Sequence, residues 1–482
     1  VKVRDVLHVV SYLLGVIGIS MAAGLAVSFA AGDPGEAKAG LAVGFGAALV
    51  VSALLWFFTR GEIELSRRDG FGIAVFGWVA SSLFGALPFL VSGVIDSPVS
   101  AIFETMSGFT TTGASVLTDL EALPKGILFW RAMTHFYGGM GVLVLCVAIL
   151  PFLKVGGIQI YRAEVPGPSK DRLTPRITAT AKLLWGIYLL LCFLETILLK
   201  IGGLSWLDAW CHTCATMATG GFSTRTASIG AFNSAYIDVV IIFFMFMAGT
   251  SFVLHLKLLT GRPFAYFKDS EFRFYLVLWL LACLALTADV WGTVYDSLGA
   301  SLRAAFFQGT SIMTTTGFVT EDFDLWPTTS RILLVLLMFV GGCAGSTGGG
   351  IKNIRILVAL RTLFREVYLY MRPQAVRKVK VGGENVKEEV VSNIVAFVLI
   401  FAVIFAGGSL VMTAFTPDLE TAFSSSIACL GNIGPGLAGV GATQNYADIP
   451  DAGQAFLILL MLLGRLELYT VLVVFLPAFW KH

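Results

Sequence analysis

One stretch of this chain returns four times, so any fold it adopts has to place four versions of one short element in equivalent surroundings. The first copy opens on Phe103 and Glu104 and ends Thr110-Thr111-Thr112-Gly113-Ala114. The second ends Ala218-Thr219-Gly220-Gly221-Phe222 and the third Thr314-Thr315-Thr316-Gly317-Phe318. The fourth has drifted furthest, opening on Phe423 and ending Gly431-Asn432-Ile433-Gly434-Pro435. Gly113, Gly221, Gly317 and Gly434 superpose at intervals of roughly a hundred residues, and so long a repeat governs the reading of every local motif.

The segments between the copies are apolar. Runs at 6–30, 39–58, 71–94, 128–153, 177–201, 235–257, 273–292, 331–360, 390–415 and 454–479 each approach or exceed the ~20 residues that span a bilayer core as a helix. With 56% hydrophobic and 13% charged residues, the chain lies outside the soluble range. We expect an all-α integral membrane protein of ten transmembrane helices. The start, Val1-Lys2-Val3-Arg4 followed by an apolar run to Ala30-Ala31-Gly32, has the outline of a signal peptide. Its run exceeds the ~7–15 residues of an h-region, so it is read as a retained first span.

The recurring stretches follow the third, fifth, seventh and ninth runs, and are too short and too polar at their ends to cross. Each is expected to be a pore helix and a turn re-entering from one side. Most of the 33 lysines and arginines fall in alternate connections, leaving Lys38, Lys125, Arg131, Lys200, Arg225, Arg303 and Arg331 on the other side and Arg465 inside the last span. The positive-inside rule then puts both termini in the cytoplasm and all four re-entrant stretches on the outside. The expected organisation is a helix pair (1–65) and four helix/pore-loop/helix repeats, 66–160, 161–262, 263–375 and 376–482, the third with a broken second helix. Units that all begin inside are parallel, arranged pseudo-fourfold around one central pore.

Irregular backbone at membrane depth survives only where it lines water or is buried in protein. Thr111-Thr112-Gly113, Thr219-Gly220-Gly221, Thr315-Thr316-Gly317 and Asn432-Ile433-Gly434 can each run extended with carbonyls aimed at one axis, where they would replace the hydration shell of a cation such as K+. Glycine permits the positive φ that same-facing carbonyls require. The pore helices would end at the pore, adding about half a negative charge each. Close helix packing is the competing use of such small residues, and four copies on the same side favour an ion filter.

With these motifs, and with Gly341-Gly342-Cys343-Ala344-Gly345-Ser346-Thr347-Gly348-Gly349-Gly350-Ile351-Lys352 in the eighth run, the chain resembles the Trk/Ktr/HKT superfamily of potassium transporters over nearly its whole length. The extra N-terminal pair is similar to the TrkH-type branch more than to the eight-helix KtrB branch. The resemblance implies potassium uptake (Rb+ as surrogate, Na+ to a lesser degree), with Gly113 in place of the serine of sodium-passing members. It also implies a homodimer in the bacterial inner membrane, controlled by a cytoplasmic nucleotide-binding ring of the TrkA type. No cofactor is expected in this chain beyond the transported K+.

Two features are read as a gate below the filter. At a cost of about 1 kcal/mol per glycine, no straight helix is favoured through 341–350, and Gly345, Ser346, Thr347, Gly348, Gly349 and Gly350 are read as a pore-obstructing loop. Arg465, costly in hydrocarbon, is read as a positive barrier in the path, the alternative being a salt bridge to Glu467 or another helix. The resemblance implies the same constriction. Glu104 is expected to brace its loop or tune the field. Asp119, Glu121, Glu321, Asp322 and Asp324 either concentrate cations or are plain solvated loop. His135, His212 and His255 have no ligand spacing and are left as structural. Cys211 and Cys214 lack the second ligand pair of a zinc site and read as buried hydrophobes.

Coupling to H+ or Na+ is the nearest alternative; it needs a titratable carboxylate in the path, for which Glu195, Asp238 and Glu467 are the candidates. A membrane-embedded enzyme would need clustered acids, a nucleophile with its base, or metal ligands, and the sequence offers none of these constellations.

Overall fold

The computed structural model describes residues 1–61, 65–148 and 173–480, and it is built from helices. Six are long and apolar enough to cross a membrane: Val3–Ala31, Gly35–Thr59, Arg68–Val91, Thr180–Ile201, Ser270–Val290 and Glu388–Met412. In hydrocarbon each backbone group needs an internal partner, which a helix supplies within its own segment. Val50, Leu54, Phe58, Leu399, Val403 and Leu410 stand exposed on these helices, an apolar exterior suited to lipid. The first two helices approach through small residues, a Cβ on Gly18 falling 3.3 Å from that of Ala48.

The four recurring stretches fold alike. Each begins a short helix: Pro98–Phe109, Trp206–Met217, Leu298–Met313 and Leu419–Leu430. Each helix is N-capped by a side chain accepting from the third amide of the helix: Ser97 from Ser100, Ser205 from Asp208, Ser297 from Ala300 and Asp418 from Thr421. These caps were not singled out in the sequence, although all four are small polar residues, lying 16 positions before Gly113, Gly221 and Gly434 and 20 before Gly317.

Three apolar runs read as crossings are interrupted. The run at 235–257 is not one straight helix: Ala235–Ala248 and Phe252–Leu259 meet at 99° across Gly249-Thr250-Ser251. The run at 331–360 is broken as expected, Thr328–Met338 and Asn353–Met371 flanking the glycine-rich loop. The run at 454–479 also breaks, where Glu467 and Leu468 adopt φ of 65° and 40° between Asp451–Arg465 and Tyr469–Val474. By contrast Lys125–Ala148 continues for 24 residues. Beyond Asn353–Met371 the chain forms a small hairpin, Lys380–Val381 with Glu384–Asn385. The boundary expected at 160/161 lies outside the described residues, as do 149–153 of the fourth run.

Candidate functional site

The four short helices end in one geometry. The residue after each helix cap has positive φ: Thr111 (51°), Thr219 (54°), Thr315 (58°) and Asn432 (54°). The next amide reaches back to the helix, Thr112 N to Ser107 O (2.8 Å), Gly220 N to Ala215 O (2.8 Å), Thr316 N to Ser311 O (2.9 Å) and Ile433 N to Ala428 O (2.8 Å). Thr111, Thr219, Thr315 and Asn432 add the inner bond of the same closure to Gly108, Thr216, Ile312 and Cys429. This is a Schellman closure, in which glycine normally takes the left-handed position. Threonine there costs ~1–2 kcal/mol, and strain of that kind persists only where surroundings over-determine it. Two residues on, φ is positive again at Gly113 (83°), Gly221 (76°), Gly317 (81°) and Gly434 (100°).

These glycines follow one another in cyclic order. A side chain on Gly113 would run into the carbonyl oxygen of Gly220, one on Gly221 into Thr316 O, and one on Gly317 into Ile433 O. The circuit closes with Gly434, where a Cβ would lie 2.8 Å from Thr112 O. Thr111, Thr112, Gly113, Thr219, Gly220, Gly221, Thr315, Thr316, Gly317, Asn432, Ile433 and Gly434 are thus brought together, each copy abutting the next in sequence order. Thr110 and Thr314 hydroxyls bond those of Thr112 and Thr316 within their own strands (2.8 Å each), and Asn432 Nδ2 joins the fourth strand to the first at Thr112 Oγ1 (3.0 Å) and also donates to Met461 O (2.9 Å).

In three of the four helices, the position nine before the ring glycine holds the strand leaving the ring; in the fourth, Ser424, ten before Gly434, donates to Leu437 O (3.0 Å). Glu104 accepts from Val116 N (2.9 Å), Ser115 Oγ (3.1 Å) and Arg131 Nε (2.6 Å). His212 bonds Ser223 Oγ (2.9 Å), and Gln308, with its amide oxygen turned to the loop, accepts from Thr320 N (2.9 Å). Bracing is therefore what the geometry gives Glu104, and His212 is its counterpart. Arg131 is 3% exposed, bonds Ser223 O (2.9 Å) and lies 3.5 Å from the centre of the Phe222 ring. Removing one partner of such a buried pair costs about 3–5 kcal/mol. Glu104→Ala should accordingly lower the thermal unfolding midpoint of the detergent-solubilised protein well below that of Glu104→Gln, which still offers an acceptor to Val116 N; equal midpoints would refute the bracing role.

Residues 341–350 lie against the end of this ring nearest the C-termini of the short helices. Gly349 N donates to Thr315 Oγ1 (2.6 Å) and Gly350 N to Gly431 O (2.9 Å). Thr347 Oγ1 donates to Met217 O (2.9 Å), and Cys343 N to Gly249 O (2.8 Å) at the break between Ala235–Ala248 and Phe252–Leu259. Lys352 Nζ caps Gly348 O. Arg465 donates from Nη1 to Thr347 O (2.8 Å) and from Nη2 to Gly138 O (3.4 Å), so it meets the loop directly. Its seat depends on Gly464, where a side chain would strike Leu430 O. The alternative pairing with Glu467 is not formed: Glu467 pairs with Arg355, which also stacks 3.8 Å from the centre of the Phe397 ring.

Sequence reasoning missed Glu271. Its buried Oε1 accepts from Ala344 N (2.7 Å) and Ile354 N (3.0 Å), pinning both flanks of the loop. A carboxylate at the head of an apolar run reads as an ordinary first-turn acid, so only the fold shows its target.

The acids that follow the ring strands are mostly engaged. Burial pushes Glu121 up, but hydrogen bonds from Thr226 outweigh it and hold its carboxyl below the usual range. Burial raises Asp324 to about 6, with Asp322 and Glu420 adding to the rise. Asp119 accepts from Ala122 N and Asp322 from Asp324 N (3.2 and 3.1 Å). Asp238 is paired with Arg303 at 2.6 Å, and Glu195 is fully buried. The cysteines described, Cys211 and Cys214 included, are free and buried, and no group of three metal-ligating side chains occurs among the described residues.

Comparison with known proteins gives these features a context. A family model described as TrkH, a cation transport protein, matches residues 39–482. The Trk system potassium uptake protein TrkH of Salmonella typhimurium is 43% identical over 446 residues, 91% of each chain. That of Halomonas elongata is 41% identical and covers 100% of both chains. The crystal structure of the potassium transporter TrkH from Vibrio parahaemolyticus superposes with a TM-score of 0.92 at 37% identity, covering 100% of each chain.

Proposed function

The chain belongs to the TrkH family of cation transport proteins, and from that premise we propose that it conducts potassium across the membrane through the ring of Gly113, Gly221, Gly317 and Gly434. The observation that carries this reading is the cyclic order in which each glycine abuts the next strand's carbonyl. Carbonyls from four strands at one opening can replace the hydration shell of a monovalent cation, and the four helix C-termini behind them add negative potential. In this reading the ten apolar runs are ten crossings in four parallel repeats after an N-terminal pair. Both termini lie in the cytoplasm of a bacterial inner membrane.

Inward movement needs no second ion: the membrane potential supplies about 2.3 kcal/mol per charge per 100 mV. The partners of Asp238 and Glu467 are arginines, which favours structural roles for these acids over coupling. Rubidium influx into proteoliposomes under an imposed potential tests the reading. We expect influx without a pH or sodium gradient, and a requirement for either gradient would defeat it.

Residues 345–350 with Arg465 form the gate in this proposal, opened by a TrkA-type nucleotide-binding ring acting on a homodimer. Glu271 is the latch holding the loop shut. Glu271→Ala is expected to raise basal rubidium influx by about tenfold, as one hydrogen-bonded clasp of about 1.4 kcal/mol would. Glu271→Gln, whose amide oxygen can still accept from both flanks, should fall between that variant and wild type. Basal influx at the wild-type level in Glu271→Ala would remove the latch.

A further inference from the structure

The ring has one irregular position. Midway between its two positive-φ residues, three strands carry a side chain: Thr112, Thr316 and Ile433. The second strand carries Gly220, whose own φ does not demand glycine. The reason lies behind it. A Cβ at Gly220 would fall 2.5 Å from both Cε1 and Nδ1 of His135 and 2.8 Å from its Cγ. The imidazole occupies the volume that a side chain at 220 would need.

His135 is fully buried, and neither ring nitrogen has a hydrogen-bond partner among the described residues. Its ring stacks on Phe222 with centroids 4.0 Å apart and planes 13° from parallel. Phe222 is also covered by Arg131, whose guanidinium pairs with Glu104 of the first strand's helix. One turn of helix beyond His135, a Cβ on Gly139 would meet Ala218 at 2.8 Å, so this helix bears directly on the second strand. An unbonded polar ring in a buried site gains nothing from its nitrogens, which leaves its flat shape as what it contributes.

We propose that His135 is a specificity-determining positioning residue: it forms a complementary pair with Gly220 and holds that strand's carbonyl at the radius set by the other three. The inference rests on the reading of the ring as an ion filter. A smaller residue at 135 leaves the second strand unsupported, and that strand alone then relaxes away from the ion. A side chain at 220 cannot enter unless residue 135 shrinks.

The test uses purified full-length protein in proteoliposomes, with rubidium influx and sodium competition as readouts and Gly113→Ser as an independent report on the filter. Gly220→Ala alone is expected to cut influx by at least about tenfold. His135→Ala should lower discrimination against sodium about fivefold, and His135→Phe, which keeps a stacked ring, should recover most of it. The double variant His135→Ala with Gly220→Ala should regain influx to within about threefold of His135→Ala, the non-additivity of touching residues. A double variant as inactive as Gly220→Ala, a His135→Phe protein behaving like His135→Ala, or wild-type discrimination in His135→Ala would each overturn the pairing. If Gly113→Ser has impaired discrimination in the same preparation, the failure belongs to His135 alone; if Gly113→Ser discriminates like wild type, the filter reading fails with it. His135→Val is the second small variant should the alanine protein fail to assemble, and it carries the same expectations.

Discussion

Gly113→Ser is expected to lower discrimination between potassium and sodium by at least about tenfold, which corresponds to about 1.4 kcal/mol. Two independent effects add. Gly113 has φ of 83°, where an L side chain is strained by ~1–2 kcal/mol. Its Cβ would also run into the carbonyl of Gly220, so the second strand must shift or turn that oxygen away. The serine hydroxyl can then donate to a carbonyl that would otherwise face the ion. Gly221→Ala and Gly317→Ala meet the next strand just as closely and should be as damaging. Gly434→Ala has more room, its nearest carbonyl oxygen lying 2.8 Å away, and should be the mildest of the four. Bi-ionic reversal potentials measure the ranking directly. Unchanged reversal potentials in Gly113→Ser, or a Gly434 variant worse than the Gly317 one, would refute the ring as the selective element.

How far the sequence reaches is clear from particular residues. The four ring glycines were legible because only glycine tolerates the second positive φ, and the short helices because each recurring stretch is too short and too polar at its end to cross a membrane. The positive φ at Thr111, Thr219 and Thr315 was not, since a β-branched residue is the last expected in the left-handed region. There the closure bonds back to each short helix and the close abutment of the four strands override local preference. The break at Gly249-Thr250-Ser251 and that at Glu467-Leu468 were hidden for a related reason. Apolar residues flank both breaks closely enough to read as one run, and the bonds that stabilise the first, such as Cys343 N to Gly249 O (2.8 Å), come from a loop almost a hundred residues away in sequence. Glu271 acts on residues 73 and 83 positions further along its own repeat and His135 on the second repeat, so no local pattern marks either one.

Arg465→Ala is expected to raise basal rubidium influx by at least about tenfold in the absence of any cytoplasmic regulator. A unit positive charge ~8 Å from a permeating cation opposes it by on the order of 2 kcal/mol at an effective dielectric of ~20. Arg465 is 4% exposed, and two backbone carbonyls, Thr347 O and Gly138 O, fix its guanidinium between the loop and Lys125–Ala148. Alanine removes both the charge and the bond that ties the loop to the last span. Arg465→Lys separates the two contributions: it keeps the charge but cannot fork to two carbonyls. We expect the lysine variant to leak less than the alanine variant and more than wild type. Glu467 keeps its partner Arg355 in both, so the break at the end of Asp451–Arg465 is preserved and a rise in influx reports the gate rather than a collapsed helix. Basal influx in Arg465→Ala equal to wild type would mean that neither the charge nor its bond to Thr347 restrains the ion, and the constriction would have to be sought elsewhere in the path.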